Sequence, residues 1–168
     1  MNFCFKIRHM MEHNELDDID WRLLDLLQQD ASLSNVALAE RVHVSPPTCL
    51  RRVKRLHAGG WIERQVALLN PDKVGAGLQV LVEVSLDRQG AEHLDAFEAR
   101  MQDAAAVQQC WRVSPGPDFV LVLQVRDMPA YLALSQALFT QDANVRNVKA
   151  FFATRRAKFG TRLALPGG

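Results

Sequence analysis

The stretch "SPPTCLRRVKRLHAGGWIE", residues 45–63, decides how this chain is read. Ser45 is a helix-capping residue type. Pro46 behind it suits a first helical position, where a missing N–H leaves nothing unsatisfied. Gly59-Gly60 is a stop signal, so the spacing predicts a helix from 46 to about 58. At about 100° per residue with Arg51 at zero, Cys49, Leu50, Val53 and Leu56 fall between about 140° and 260°. Thr48, Arg51 and Arg55 fall between about 0° and 60°, with Lys54 and Arg52 flanking them near 300° and 100°. One arc is therefore apolar and expected to be buried, Cys49 included as a small core residue. The opposite arc is basic.

The basic arc is unusual in its sign. Residues 45–58 carry Arg51, Arg52, Lys54 and Arg55 and no acid, whereas residues 17–30 carry five Asp against Arg22. An ordinary solvated helix face mixes signs, because oppositely charged neighbours one turn apart support the helix. Clustered cations suit a polyanion, since each phosphate contact releases counterions. Arg51 has the fork that matches a guanine edge, Thr48 suits a thymine methyl or a base edge, and Pro47 lies with them near the helix N-terminus. Arg52, Lys54 and Arg55 lie further along and are expected on phosphates.

Working outward, two more helices precede this one. Ile19, Leu23, Leu26 and Leu27 make one apolar stripe, with Asp17, Asp18 or Asp20 able to cap its start. Ser34 caps a short helix over 35–42 that carries Val36, Ala39 and Val42. "HVS" is then a tight connector, with His43 tolerating a left-handed turn better than a branched residue would. A supporting helix followed by two helices joined by a short turn is the helix-turn-helix pattern. Ser34, Asn35 and Ser45 sit where such a unit approaches the DNA backbone. "WIERQVALL" reads as extended, which makes the expected unit winged in type.

The second half alternates differently. "LQVLVEVSL" (78–86) places Leu78, Val80, Val82, Val84 and Leu86 in strict alternation, a strand pattern. A helix follows with Leu94, Phe97 and Met101 on one face, then strands at "AVQQCWRVS" and "DFVLVLQV". Asp127 caps a second helix with Tyr131, Leu134 and Leu138 on one side, and "VRNVKAFFAT" is a fourth strand. The order βαββαβ is ferredoxin-like, so the fold class is α+β. The expected division is an N-terminal arm at 1–15, taken as disordered, a helix-turn-helix domain at 16–66, a linker at 67–77 and the ferredoxin-like domain at 78–165. That arrangement leaves one sheet face open. The third strand is apolar on both sides, and Phe151 and Phe152 make the fourth so, which predicts a covering partner subunit. A homodimer also matches a pseudo-palindromic DNA site.

Bulk properties narrow the class. The chain has 168 residues, 48% hydrophobic and 23% charged, with a formal net charge of +1. Attraction to nucleic acid must therefore come from local charge. Cys4, Cys49 and Cys110 have no metal-ligand spacing and read as reduced thiols of a cytoplasmic protein. No apolar run reaches the length of a membrane span, and the first residues make a poor signal peptide. Met1, Met10 and Met11 all stay open as translation starts. No metal, cofactor or catalytic constellation is expected.

With these elements in place, the sequence resembles the Lrp/AsnC (leucine-responsive, feast/famine) family of transcription regulators. The resemblance runs from Leu16 to about Leu165. It is carried by "LDDIDWRLLDLLQQDASLSNVALAERV", "SPPTCLRRVKRLHAGGWI", "ALLNPDKVG" and "VRDMPAY". It implies a DNA-reading helix-turn-helix and a ferredoxin-like effector and oligomerisation domain. It further implies dimers that assemble to higher oligomers such as octamers, with an amino-acid effector held between dimers. The family's effector loop typically reads Gly-Asp-x-Asp-Tyr, and here the stretch is "VSPGPDFVL". Ser114, Gly116, Asp118 and Phe119 are the corresponding effector positions. Pro115 stands where the Gly usually is and Gly116 where the first Asp usually is. Arg112, Arg155 and Arg156 are expected to add positive charge near that loop. Two alternatives accompany this reading. One is an architectural DNA-wrapping protein with little effector response. The other is an enzyme like the sirohaem-decarboxylating relatives of this architecture, for which His93 is the sole histidine of the second half and is expected to be exposed.

Overall fold

A computed structural model describes residues 16–75 and 77–166; the expected arm at 1–15, with Cys4, lies outside them. The described chain divides into two compact units, one at 16–67 together with 158–166, the other at 68–157. After the last strand the chain returns to the first unit.

The first unit has three helices: α1 (Asp18–Gln29), α2 (Asn35–Val42) and α3 (Pro46–Ala58). Asp17 caps α1 in a reciprocal box with Asp20, each side chain accepting from the other's backbone N–H. Ser34 caps α2 by accepting from the Ala37 N–H, and Ser45 caps α3 by accepting from that of Thr48. The connector bends at His43, whose φ of 58° and ψ of 48° are left-handed, as expected of that turn. At the other end of α3, Gly60 (φ 73°) lets its own N–H reach the His57 carbonyl and the Trp61 N–H reach that of Leu56. This double closure satisfies two carbonyls that the last turn would otherwise leave bare, and it folds Trp61 back edge-on to Trp21 at 6.1 Å. The core is Leu23, Leu27, Leu38, Ala39, Val42, Cys49 and Leu56. Val36, expected inward, is exposed and Leu38 takes its place. The helix-turn-helix expectation holds, but the wing makes no strand, since residues 63–70 have no ladder partner among the described residues.

The second unit is a four-stranded antiparallel sheet in the order β2-β3-β1-β4. Its strands are β1 (Leu78–Leu86), β2 (Val107–Arg112), β3 (Phe119–Val125) and β4 (Val145–Phe152). Helices α4 (Ala91–Asp103) and α5 (Met128–Ser135), the latter prolonged by a π-helical turn at Gln136–Thr140, complete it. The βαββαβ expectation is met. Val80, Val82, Val84 and Leu86 of β1 and Phe119, Leu121, Leu123 and Val125 of β3 face the helices and form the core with Phe97, Met101, Tyr131 and Phe139. Phe97 of α4 stacks on Phe119 with ring centroids 4.5 Å apart, and Tyr131 of α5 meets Phe152 edge-on at 5.0 Å. The registers place Leu81 opposite Val122 and Phe151, and Trp111 opposite Val120. Those side chains share the other face of the sheet, on which Leu81, Trp111 and Phe151 are exposed. No described helix is long and apolar enough to cross a membrane.

Candidate nucleic-acid interface

Helix α3 turns a different arc to the core than its hydrophobicity predicts. Cys49 and Leu56 are fully buried, and Val53, Arg52 and Thr48 are half-buried, while Leu50 is 45% exposed. On the same wheel the buried arc therefore runs from about 60° to 200°, not from about 140° to 260°. The cause is Asp20, whose side chain is 0% exposed. Its carboxylate accepts from Arg52 Nη1 at 2.9 Å and from Arg55 Nη2, and it also takes the Asp17 backbone N–H at 3.3 Å. Arg52 pairs in addition with Asp17 at 2.7 Å. A buried carboxylate needs such partners, since an unpaired one would cost several kcal/mol. The α1 acids thus draw Arg52 inward and rotate the helix, and Leu50 is carried outward.

The electrostatics follow from the pairing. Hydrogen bonds from Arg52 to Asp17 and Asp20 push the guanidinium further up from its already high value. Burial alone would raise the Asp17 carboxyl, but the Asp20 N–H and the Arg52 guanidinium outweigh it and hold that carboxyl below the ordinary range. Arg52 and Arg55, expected on phosphates, are both paired with Asp20 inside the unit, but to different degrees. The Arg52 side chain is only 18% exposed, whereas that of Arg55 is 55% exposed and keeps a solvent-facing side. Arg51 and Lys54 are exposed and have no ion-pair partner among the described residues. Pro47 is exposed beside them.

The polar residues around the turn are mostly engaged in holding it. Asn35, expected on the DNA backbone, donates its side-chain amide to the Pro46 carbonyl at 2.8 Å, tying the start of α2 to the start of α3. The Ser45 hydroxyl donates to Thr48 Oγ1 at 2.9 Å. Ser34 Oγ accepts from Ala37 N at 3.2 Å. Behind α1, the returning C-terminal segment is pinned. Arg162 Nη2 lies 2.9 Å from Asp25 Oδ1, and Gln28 exchanges two bonds with the Leu163 backbone at 2.9 and 2.8 Å. Sequence reasoning took Asp20 only as a possible cap and missed both its pairing with α3 and this return. The Asp17/Asp20 pair at capping-box spacing was the available signal for the first, and nothing local signals the second.

In the second unit the loop Val113–Asp118 closes on itself and on β1. The Val113 N–H donates to the Asp118 carbonyl at 3.0 Å, the Asp118 N–H to Val84 at 2.9 Å, and the Leu86 N–H to Asp118 Oδ2 at 2.7 Å. Asp118 thus spends one carboxylate oxygen extending the β1–β3 pairing. Phe119, expected to touch an effector, is fully buried against Phe97 and belongs to the core. Gly116 has φ 122°, a backbone only glycine adopts readily. Ser114 and Gly116 are exposed and carry the loop's other two N–H groups, the two prolines having none. Arg112, expected to charge the loop, is neutralised by Asp95 at 2.6 Å and Glu98 at 2.7 Å. Arg155 and Arg156 sit at the opposite end of the sheet, since β4 runs antiparallel to β1 and Ala153 bonds to Gln79. His93, expected to be exposed, is partly buried beside Glu92. Burial, with the Glu98 charge, pushes the Cys110 thiol up to about 11, so it is an inert thiol. Among the described residues, no group of His, Cys, Asp and Glu is placed to hold a metal ion.

A capped three-helix unit with exposed cations on its last helix, joined to a ferredoxin-like unit, is the arrangement of a helix-turn-helix DNA-binding protein with a second domain. Comparison with known proteins makes this specific. Residues 16–57 match the AsnC-type helix-turn-helix domain and residues 79–163 the Lrp/AsnC ligand binding domain. The leucine-responsive regulatory protein of Salmonella typhimurium is 36% identical over 151 residues, spanning 90% of this chain and 92% of that one. Among solved structures, a transcriptional regulator of Neisseria meningitidis in complex with L-Met superposes with a TM-score of 0.84 at 32% identity, covering 90% of this chain and 97% of that one. An AsnC family regulator of Agrobacterium tumefaciens gives 0.83 at 31%, covering 89% and 97%. The chain belongs to the Lrp/AsnC family of transcriptional regulators and is a DNA-binding regulator of that type, not an enzyme.

Proposed function

We propose that this regulator binds DNA as a symmetric dimer or higher oligomer, with α3 in the major groove, and that an amino acid bound between dimers shifts its assembly. The observation that carries the assembly is the open sheet face. Leu81, Trp111 and Phe151 stand exposed there beside Val120 and Val122, on registers that make an apolar stripe across the sheet, edged by Gln109 and by the Glu83–Lys149 pair. A second copy of the same face covers it isologously. On DNA, Arg51 takes a base edge near the start of α3 and Thr48 lies beside it. Lys54 and the solvent side of Arg55 take phosphates. Ser34 and Ser45 approach the backbone, while Asn35 and Arg52 brace the unit.

For the effector, an amino acid is the chemical class supported by the relative crystallised with L-Met. The loop suits a carboxylate through the Ser114 and Gly116 N–H groups, and the remaining oxygen of Asp118 suits an ammonium. Assembly shifts only as far as the effector's affinity differs between the assembled states. Sedimentation of the wild type and of Leu81→Lys, with a thermal-shift screen of the twenty amino acids, tests the reading. The expected result is a dimer or larger for the wild type, dissociation for the variant, and a selective rise in melting temperature with one class of amino acid. A monomeric wild type, or no stabilisation by any amino acid, would overturn it.

A further inference from the structure

Of the two leucines of α3, Leu56 is fully buried and Leu50 is turned outward. Leu50 takes no part in the core of the first unit, which draws Cys49, Val53 and Leu56 from this helix. Pro47, one turn before it, and Lys54, one turn after it, share its exposed arc, with Arg51 adjacent. The setting is thus an aliphatic side chain flanked by Arg51 and Lys54, which have no ion-pair partner among the described residues, about one turn into a helix whose start is capped by Ser45. Flanking cations disfavour an apolar protein partner and favour a polyanion. Among the features a duplex offers to a side chain at the floor of its major groove, the thymine 5-methyl is the apolar one.

We infer that Leu50 is a specificity-determining residue that packs on the 5-methyl group of a thymine in the operator, between the contacts of Arg51 and Lys54. This rests on α3 being the helix that faces DNA. The inference explains an arrangement that hydrophobicity alone does not: the rotation imposed by Asp20 presents Leu50 on the same arc as the free cations. A methionine at position 50 reaches the same methyl group, and an alanine does not.

The test is a coupling experiment on an operator selected from random DNA by the purified full-length protein. Each thymine is replaced in turn by deoxyuridine, which removes only the methyl group and keeps the pairing. For the wild type, one substitution per half-site is expected to weaken binding about three- to fivefold, the value of one buried methyl. With Leu50→Ala that same substitution is expected to change affinity less than about 1.5-fold, because the methyl has lost its contact. Leu50→Met restores the penalty. The melting temperature of Leu50→Ala is expected to match that of the wild type, since the side chain is exposed. Equal penalties in wild type and Leu50→Ala, no penalty at any position, or a selected operator without thymine would overturn the inference. Arg51→Ala separates the two levels. If it leaves affinity unchanged, the placement of α3 on DNA fails and takes Leu50 with it. If it weakens binding while the deoxyuridine coupling is absent, only the role of Leu50 fails.

Discussion

Replacing Asp20 by Asn should be the most damaging isosteric change in the first unit. Its side chain is 0% exposed and accepts from two guanidinium groups and a backbone N–H. Hydrogen bonds to charged groups contribute about 1.5–3 kcal/mol each, and breaking a buried pair costs about 3–5 kcal/mol. The lower end applies, because Arg52 keeps Asp17 at 2.7 Å and Arg55 turns to water. A loss of about 3 kcal/mol corresponds to a fall of roughly 12–24 °C in the melting temperature of a unit this small. Thermal unfolding followed by the fluorescence of Trp21 and Trp61, with Trp111 replaced by Phe to silence the second unit, reads this directly. The companion variant Asp20→Leu/Arg52→Met removes both charges and should recover most of the loss, as apolar replacements of buried pairs do. A cost below about 0.5 kcal/mol for Asp20→Asn, or no coupling between positions 20 and 52, would refute the reasoning that this acid sets the orientation of α3.

Two further outcomes follow from the second unit and the returning tail. Phe119→Ala should cost the sheet unit about 3–5 kcal/mol, a core truncation against Phe97. A variant that kept the wild-type melting temperature but lost its amino-acid response would return Phe119 to the effector site. The side-chain amide of Gln28 first, and the Arg162 guanidinium after it, hold the Asp25 carboxyl below the ordinary range. A group with a depressed folded pKa contributes stability above its unfolded value of about 3.9 and loses it as pH falls through the folded value. Hydrogen-exchange protection of the Leu163 amide, which donates to Gln28, should therefore persist at neutral pH and begin to fade only as pH falls below about 3.9, toward the depressed folded value. Arg162→Ala should move that loss to higher pH.

How much of this was legible in the sequence differs by element. The helix limits were, because capping is local. Ser34 and Ser45 announce their helices, and Gly59-Gly60 ends the third through a left-handed position at Gly60. The βαββαβ order was legible from the change of period between 78–86 and 91–103. The facing of α3 was not, because a helical wheel counts Arg52 as a solvent-facing cation and cannot see an acid on another helix. The five Asp of the first helical region and the four cations of α3 were read as segregated charge, and they partly neutralise each other in space. The surroundings of the loop were hidden for a similar reason. Phe119 follows β-strand alternation into the core, and Arg155 and Arg156 lie at the far end of an antiparallel strand. The return of residues 158–166 to α1 rests on Arg162, Gln28 and Asp25, polar residues without periodicity.

The division of α3 into free and committed cations is the centre of the account, and the salt dependence of operator binding tests it most directly. Each phosphate-bound cation contributes about 0.9 to the slope of log K against log salt. Lys54→Ala should lower the slope by about that amount, while Arg52→Gln, compared at a temperature where both variants are folded, should leave it unchanged. A slope that falls by about 0.9 for Arg52→Gln and stays constant for Lys54→Ala would contradict the arrangement of α3 described above.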